Sequence, residues 1–188
     1  MFEEPVSMLP LRRSTVLVVD DQATGRAILE QVLRSMAEPV AIETFARAVD
    51  AVVWATRHDA DLVMVDYIMP DMDGIRFVNC LRALPGYEPV PIIMVTVSDD
   101  REVRYAALDA GATDFLSKPI DTRECLARCK NLLTLRRQQI ALEQQTRRLE
   151  ETMRDLRREW RARDHDLALL PAHVAPFKPR RRNLSVPS

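Results

Sequence analysis

The stretch Leu62–Gly74, which reads LVMVDYIMPDMDG, decides the fold of this chain of 188 residues. Its leading apolar residues are typical of a strand buried on both faces, and Asp66 ends that run. The proline and glycine that follow indicate a loop, and Ile75–Leu84 then places its apolar side chains near one face of a helix. The stretch therefore predicts one strand, loop and helix unit of a parallel sheet.

The same unit recurs along the chain. Short apolar runs alternate with amphipathic stretches, a pattern that predicts an α/β, doubly wound fold with five parallel strands covered by helices on both faces. The predicted strands are Thr15–Asp20, Val40–Glu43, Leu62–Asp66, Pro91–Val95 and Thr113–Leu116, and two further predicted helices are Thr24–Met36 and Ala46–Arg57.

Composition limits the class of protein. Apolar residues make up 47% of the chain and charged residues 29%, which indicates a globular protein rather than a disordered one. No window approaches the ~18 uninterrupted apolar residues of a membrane helix, and Met1–Pro5 lack the features of a signal peptide. The sequence therefore predicts a cytoplasmic protein that does not enter a membrane.

Charge is distributed unevenly along the chain. Residues 1–122 hold 11 Lys and Arg against 20 Asp and Glu, whereas residues 123–188 hold 16 against 8. The acidic part favours binding of cations over binding of nucleic acid, and the basic part raises the question of a partner.

Polar residues follow the predicted strands at the points where the strands end. The first strand ends in Asp20 and Asp21, the third in Asp66, the fourth is followed by Thr96, and the fifth is followed by Lys118. The carboxyl ends of parallel strands form the ligand-binding edge of such a sheet, so we expect these side chains to meet. Three clustered carboxylates repel one another unless their pKa values rise or a cation lies among them, and oxygen ligands suit Mg²⁺.

This set of residues predicts phosphoryl transfer to a carboxylate. Asp66 would attack phosphorus, Lys118 would hold a phosphoryl oxygen, and the Thr96 hydroxyl would donate to another. Each residue also has an ordinary explanation, because Asp21 could cap a helix, Thr96 could simply end a strand, and Lys118 could be an exposed loop lysine. Their coincidence at strand ends favours the functional interpretation.

The acidic pair Asp20-Asp21, Asp66 with the following MPDMDG loop, Thr96 and Lys118-Pro119 together resemble the receiver domain of bacterial two-component response regulators. The successive separations of 45, 30 and 22 positions along the series Asp21, Asp66, Thr96 and Lys118 also resemble those of the family. The resemblance covers roughly residues 14–131.

The resemblance implies roles for individual residues. Asp66 would be the phosphoacceptor for a cognate histidine kinase or phosphotransfer protein, and the backbone carbonyl of Ile68 would complete the Mg²⁺ shell. Lys118-Pro119 would be a cis peptide, and Thr96 and Phe115 would form the switch, although Phe115 could equally be a core residue. Val97 stands where the family usually has a smaller residue, and it would narrow the approach to Asp66.

The C-terminal part of the sequence predicts a long helix. From Arg123 to Leu170 the chain contains no glycine or proline, and leucines recur every seven residues. This repeat predicts a coiled-coil seam and a parallel homodimer, with a helix that is polar all round as the alternative. We do not expect nucleic acid as a partner, because an acidic domain precedes the seam, whereas a positive segment precedes it in a basic-region zipper. The predicted seam contains Leu132, Leu135, Leu142, Leu149, Met153, Leu156, Trp160, Leu167 and Leu170.

These observations predict four parts of the chain: a mobile leader (1–13), a receiver domain (14–122), an extended helix (123–170) and a disordered tail (171–188). The sheet would be flavodoxin-like, with strand order 2-1-3-4-5.

The segments 96–121 and 126–137 resemble receivers attached to cyclic-di-GMP phosphodiesterases of the HD-GYP type. No enzyme domain is recognisable in this sequence, so we expect a phosphorylation-dependent switch that acts through dimerisation and protein contacts. The alternatives are a constitutive dimeric scaffold and a remnant of a longer regulator with phosphodiesterase output.

Overall fold

The computed structural model describes residues 13–97 and 101–168, and side chains as far as Arg161. Strands and helices alternate along the described chain, as the apolar runs predict. The strands are β1 (Thr15–Val19), β2 (Ala41–Phe45), β3 (Leu62–Asp66), β4 (Ile92–Thr96) and β5 (Asp114–Ser117). The helices are α1 (Ala23–Arg34), α2 (Ala48–Ala55), α3 (Gly74–Arg82), α4 (Arg101–Asp109) and α5 (Thr122–Ala168).

The strands form a single parallel sheet in the order β2-β1-β3-β4-β5. The predicted doubly wound, flavodoxin-like fold and its strand order are confirmed. Neighbouring strands end together, because Asp66 lies opposite Val95 and Thr96 lies opposite Ser117. The carboxyl edge of the sheet therefore gathers the residues that follow β1, β3, β4 and β5.

Two apolar cores hold the helices against the two faces of the sheet. One core combines alternate strand residues such as Leu17 and Val65 with side chains of α2, α3 and α4, including Phe77. The other core combines the remaining strand residues, such as Val18, with side chains of α1, such as Leu33, and of the first part of α5, such as Cys129. The central strands are buried on both faces because both cores need them, which explains their uninterrupted apolar sequences.

Some element boundaries differ from the sequence-based prediction. β2 was expected at Val40–Glu43, but it begins at Ala41 and ends at Phe45, two residues later than predicted, because its pairing with β1 continues to Phe45. α2 accordingly begins at Ala48 rather than at Ala46. α1 ends at Arg34, before the predicted Met36, where the Ser35 hydroxyl donates to the carbonyl of Val32. Edge strand β2 carries little apolar signal, so its limits depend on pairing.

Carboxylates begin two of the helices. The Asp73 side chain accepts a hydrogen bond from the backbone N–H of Arg76 at 2.7 Å, and Asp121 accepts one from Glu124 at 2.8 Å. Such caps satisfy amide groups that have no partner within the helix. They set the start of α3 at Gly74, the last residue of the MPDMDG stretch, and the start of α5 at Thr122, three residues after Pro119.

Contacts divide the chain into two compact units, residues 1–140 and 141–188, with α5 running through both. The predicted leader (1–13) and tail (171–188) lie outside the described residues, apart from Arg13. Within residues 13–97 and 101–168, no helix has both the length and the apolar character needed to cross a bilayer.

Candidate functional site

The connection between β1 and α1 carries the acidic pair. Asp20 is fully buried, and its Oδ1 accepts a hydrogen bond from the backbone N–H of Gln22 at 2.8 Å. The Arg26 guanidinium donates to the backbone carbonyls of Asp20 at 2.7 Å and of Asp21 at 3.0 Å. Arg26 thereby ties the first turn of α1 back to the end of β1 and fixes the direction in which the two carboxylates point.

Asp66 ends β3 beside this pair and is only 4% exposed. Carboxylate oxygens of Asp20, Asp21 and Asp66 all lie within 4.8 Å of one another. The chain turns sharply behind Asp66, where the Gly74 N–H donates to the Tyr67 carbonyl at 2.8 Å. A Cβ at Gly74 would lie 2.7 Å from the carbonyl oxygen of Asp66, so only glycine allows α3 to start this close to the strand.

Lys118 joins two of the three acids. Its Nζ donates to Oδ2 of Asp66 at 2.7 Å and to Oδ2 of Asp20 at 3.0 Å. The Lys118 backbone N–H donates to the carbonyl of Thr96 at 2.8 Å, and Lys118-Pro119 is the cis peptide that the resemblance implied. The ordinary explanation of Lys118 as an exposed loop lysine is therefore wrong.

Burial and charge shift the pKa values of the Asp66 and Lys118 side chains. Burial raises the pKa of the Asp66 carboxyl above its ordinary value, while the hydrogen bond from Lys118 lowers it only in part. Burial by itself lowers the pKa of the Lys118 ammonium, but its hydrogen bonds to Asp66 and Asp20 outweigh burial and raise that pKa. Lys118 therefore remains a cation, and Asp66 gives up its proton less readily than an exposed aspartate.

The donor set fits a hard divalent cation. Oδ1 of Asp21 is buried and has no hydrogen-bond partner among the described side chains and backbone. Asp21 does not cap α1, since the N-cap position belongs to Gln22, whose side chain makes no capping hydrogen bond. A buried carboxylate oxygen without a donor is costly, and a cation bound by the three acids would satisfy it.

The other predicted residues lie around this cluster. Thr96 is buried at the end of β4, next to the strand that carries Asp66. Phe115 is half-buried in β5 opposite Met94, so it shares a face of the sheet with Thr96. Ile68 is exposed, and a hydrogen bond from its backbone lowers the pKa of Asp66. Val97 is 65% exposed.

Two residues that contact the acidic pair were not identified from the sequence. Arg26 holds the carbonyls of the acidic pair, and Gly25 lies directly against the Asp20 side chain. An isolated glycine in a helical pattern was the available signal for Gly25, because such a glycine often has a packing reason. Nothing local marks Arg26, since an arginine in the first turns of an amphipathic helix is ordinary.

The predicted seam is exposed over most of its described length. Leu132 is an exception, because it packs partly against the core beneath α5. Leu167 lies within α5 but beyond the described side chains, and Leu170 lies outside the described residues. The exposed members are Leu135, Leu142, Leu149, Met153, Leu156 and Trp160, with exposures from 46% to 74%.

A doubly wound sheet whose carboxyl edge holds three carboxylates and a lysine defines a class of α/β domain built to bind a cation and an anion together. Residues 16–130 match the response regulator receiver domain family, and the chain belongs to that family. The predicted family is confirmed, and with it the assignment to two-component signalling.

Relatives and solved structures agree with this assignment. A cyclic di-GMP phosphodiesterase response regulator, RpfG of Xanthomonas campestris pv. campestris, is 41% identical over 138 residues, which are 73% of this chain and 36% of that protein. The chain thus spans little more than a third of this relative. The predicted likeness to receivers of cyclic-di-GMP phosphodiesterases is confirmed.

Two crystal structures share the fold. The signal receiver domain of an HD domain-containing protein from Pseudomonas fluorescens Pf-5 has a TM-score of 0.62 and 26% identity, covering 68% of this chain and 99% of that one. The receiver domain of a sensor histidine kinase from Pseudomonas aeruginosa PAO1 has a TM-score of 0.60 and 27% identity, covering 65% and 98%. The second structure has a magnesium ion coordinated in its active-site cleft.

Proposed function

We propose that Asp66 accepts a phosphoryl group from a phosphohistidine of a cognate histidine kinase or phosphotransfer protein, with Mg²⁺ held by Asp20, Asp21 and Asp66. One observation carries the proposal: three carboxylates converge within 4.8 Å while the Lys118 ammonium lies 2.7 Å from Asp66. Family membership and the magnesium ion in the related kinase receiver support it. We also expect the Ile68 carbonyl to serve as a metal ligand.

The chemistry of this transfer is a substitution at phosphorus. A carboxylate oxygen of Asp66 forms the new P–O bond while the P–N bond of the phosphohistidine breaks, and its electron pair returns to the imidazole. A divalent cation held by Asp20, Asp21 and Asp66 would supply positive charge that offsets the carboxylates and the phosphoryl oxygens. Lys118 holds one of these oxygens as a point charge, and the Thr96 hydroxyl donates to another. The product is an aspartyl phosphate on Asp66.

The switch would then be read by Thr96 and Phe115. Thr96 ends the strand next to β3, and Phe115 lies on the same face of the sheet in the neighbouring strand. A Thr96 hydroxyl drawn towards a phosphoryl oxygen leaves space that the half-buried Phe115 ring can enter. Phosphorylation would thus change the surface formed by α4, β5 and the start of α5.

The partner we propose for the seam is a second copy of this chain in parallel. Leucines at every seventh position of α5 are largely exposed, and an apolar stripe of this length is not stable in water without a cover. In a parallel pair, Gln139 and Thr146 on this stripe would each face the same residue of the second copy. Self-pairing of polar side chains favours that register, whereas the antiparallel arrangement would place them against leucines.

A longer regulator is the second candidate. The likeness to RpfG favours a receiver that controls an attached cyclic-di-GMP phosphodiesterase, with α5 as the connecting helix. For residues 1–188 themselves we expect no catalytic output beyond phosphoryl transfer to and from Asp66. We expect this transfer to occur in the cytoplasm.

A constitutive scaffold, dimeric whether or not Asp66 is phosphorylated, is the remaining alternative. Sedimentation with and without a phosphodonor distinguishes it from the phosphorylation-dependent switch.

Treatment with acetyl phosphate and MgCl₂ tests the proposed transfer. We expect intact-protein mass spectrometry to show one added phosphoryl group that is lost at alkaline pH, as an acyl phosphate is. Asp66→Asn should gain none, and EDTA should prevent the reaction in the wild-type protein. A phosphoryl group on the Asp66→Asn variant at the wild-type level, or none on the wild-type protein, would contradict the proposal.

A further inference from the structure

Gly25, the third residue of α1, is packed against the Asp20 carboxylate. A Cβ added to Gly25 would lie 2.3 Å from Oδ2, 2.8 Å from Cγ and 2.9 Å from Oδ1 of Asp20. These distances are shorter than non-bonded carbon and oxygen atoms tolerate. Glycine is also a poor helix former compared with alanine, so its presence in α1 needs a reason outside the helix.

Two hydrogen bonds hold the main chain of Asp20 in place. The Asp20 N–H donates to the carbonyl of Phe45 at 3.2 Å, which holds the end of β1 to β2. The Asp20 carbonyl accepts from the Arg26 guanidinium at 2.7 Å, which holds it to α1. A side chain at position 25 would therefore have to displace the Asp20 carboxylate itself.

In its present position, the Asp20 carboxylate makes the contacts that bring the acids and Lys118 together. Its Oδ1 accepts from the Gln22 N–H at 2.8 Å, its Oδ2 accepts from Lys118 Nζ at 3.0 Å, and it lies within 4.8 Å of the other acids. We propose that Gly25 is a positioning residue for the divalent-cation site: the missing side chain leaves the space in which the Asp20 carboxylate faces Asp21 and Asp66. This inference rests on the proposed function, because its cation is the Mg²⁺ of that proposal.

Isothermal titration of the full chain with MgCl₂ tests the inference without any phosphodonor. We expect Gly25→Ala to bind Mg²⁺ at least about tenfold more weakly than wild type, as is typical when a residue that orients a metal ligand is changed. Thr24→Ala is the matched control, since Thr24 is exposed in the same turn, and its affinity should stay within about twofold of wild type. Wild-type affinity in Gly25→Ala would overturn the inference, whereas no Mg²⁺ binding by the wild-type protein would contradict the proposed function.

A second measurement separates positioning of Asp20 from a general effect on folding. In the wild-type background, Gly25→Ala should lower the thermal midpoint because of the contact with Asp20. In an Asp20→Ala background the contact is gone, and the same substitution should raise the midpoint because alanine favours the helix. A shift in the same direction in both backgrounds would show that Gly25 does not act through Asp20 and would overturn the inference.

Discussion

At the scale of single residues, the Asp66 carboxylate combines a high burial cost with a reactive role. It is almost fully buried beside Asp20, and Lys118 compensates its charge only in part, so its pKa is raised. A raised pKa means that the folded state binds the proton more tightly than the unfolded state does. Without a cation, ionisation of Asp66 therefore costs stability, which is typical of a group kept for function rather than for folding.

The substitution Asp66→Asn should accordingly stabilise the metal-free protein at neutral pH. Below the ordinary carboxyl pKa of 3.8, Asp66 is protonated in both the folded and the unfolded chain, and the folded state bears no cost of ionisation. As the pH rises through the raised folded-state pKa, Asp66 ionises in its buried position and the wild-type protein loses stability. Thermal unfolding in EDTA should show a higher midpoint for Asp66→Asn, where about 1 kcal/mol corresponds to roughly 2–4 °C in a chain of this size. The difference should shrink as the pH approaches 4.

Saturating Mg²⁺ provides the control for this prediction, because the proposed cation would stabilise the ionised carboxylate of the wild-type protein. Addition of Mg²⁺ should raise the wild-type midpoint more than that of Asp66→Asn. A lower midpoint for the variant at pH 7 in EDTA would mean that the ion pair with Lys118 outweighs the burial cost.

At the scale of elements, the Arg82 side chain at the end of α3 joins the chain segment before β4 to the segment before β5. Its guanidinium donates to the carbonyls of Tyr87 and Val90 in the connection that leads to β4, and to the carbonyl of Gly111 before β5. Gly111 has a φ of 103° and leaves no room for a Cβ beside the Arg82 side chain. The carbonyls of Val90 and Gly111 thus accept from the Arg82 side chain, and the Tyr87 carbonyl accepts from it and from the Val90 N–H.

Replacement of Arg82 by methionine should lower the free energy of unfolding by about 2–4 kcal/mol, because the carbonyls of Val90 and Gly111 lose the donor that Arg82 supplies. Chemical denaturation measures this change. Arg34→Met is the control, since Arg34 is exposed and makes only a helix-surface ion pair with Glu30, which is worth no more than about 0.5 kcal/mol. Equal losses in the two variants would show that the Arg82 hydrogen bonds do not stabilise the fold.

At the scale of the whole molecule, charged contacts supplement the apolar packing that holds residues 122–140 of α5 to the receiver fold. Nη1 of Arg128 donates to both carboxylate oxygens of Asp114 in β5, and Arg137 pairs with Glu38 in the connection between α1 and β2. Beyond residue 140 the helix belongs to the second compact unit. Residues 122–140 of α5 belong to the same compact unit as the receiver fold, and the seam that we propose for dimerisation lies mostly in residues 141–168.

The double substitution of Leu142 and Leu149 by serine should convert a dimer into a monomer. Burial of each leucine contributes about 1.5–3 kcal/mol, so the dimer dissociation constant should rise at least ~100-fold. The matched control changes Gln144 and Glu151 to serine, which alters the opposite face at the same spacing and should leave the dimer intact. Sedimentation equilibrium at micromolar concentration measures both variants.

The same measurement with and without phosphodonor separates the switch from the scaffold. We expect phosphorylation of the wild-type protein to strengthen the dimer, since the proposed surface change reaches the start of α5. Equal dimerisation in both states would favour the constitutive scaffold, and a wild-type monomer in both states would contradict the dimer proposal.

The local sequence pattern alone predicted most of the fold and the position of the site. The alternation of apolar runs with helical stretches predicts the sheet and its helices, because burial on two faces leaves an uninterrupted apolar sequence. The residues that end the strands predict the site, because parallel strands bring their carboxyl ends to one edge. The boundaries of β2 were missed, since an edge strand is decided by pairing with its neighbour rather than by its own composition.

Only the tertiary structure decided how the site is assembled. Lys118 meets Asp20 across 98 positions of sequence, and Arg82 reaches Gly111 across 29. The close approach of Gly25 to Asp20 and the buried, unpartnered Oδ1 of Asp21 likewise depend on how β1 and α1 pack. Periodicity reports which face of an element is buried, but distances between side chains of different elements arise from packing, which no local pattern contains.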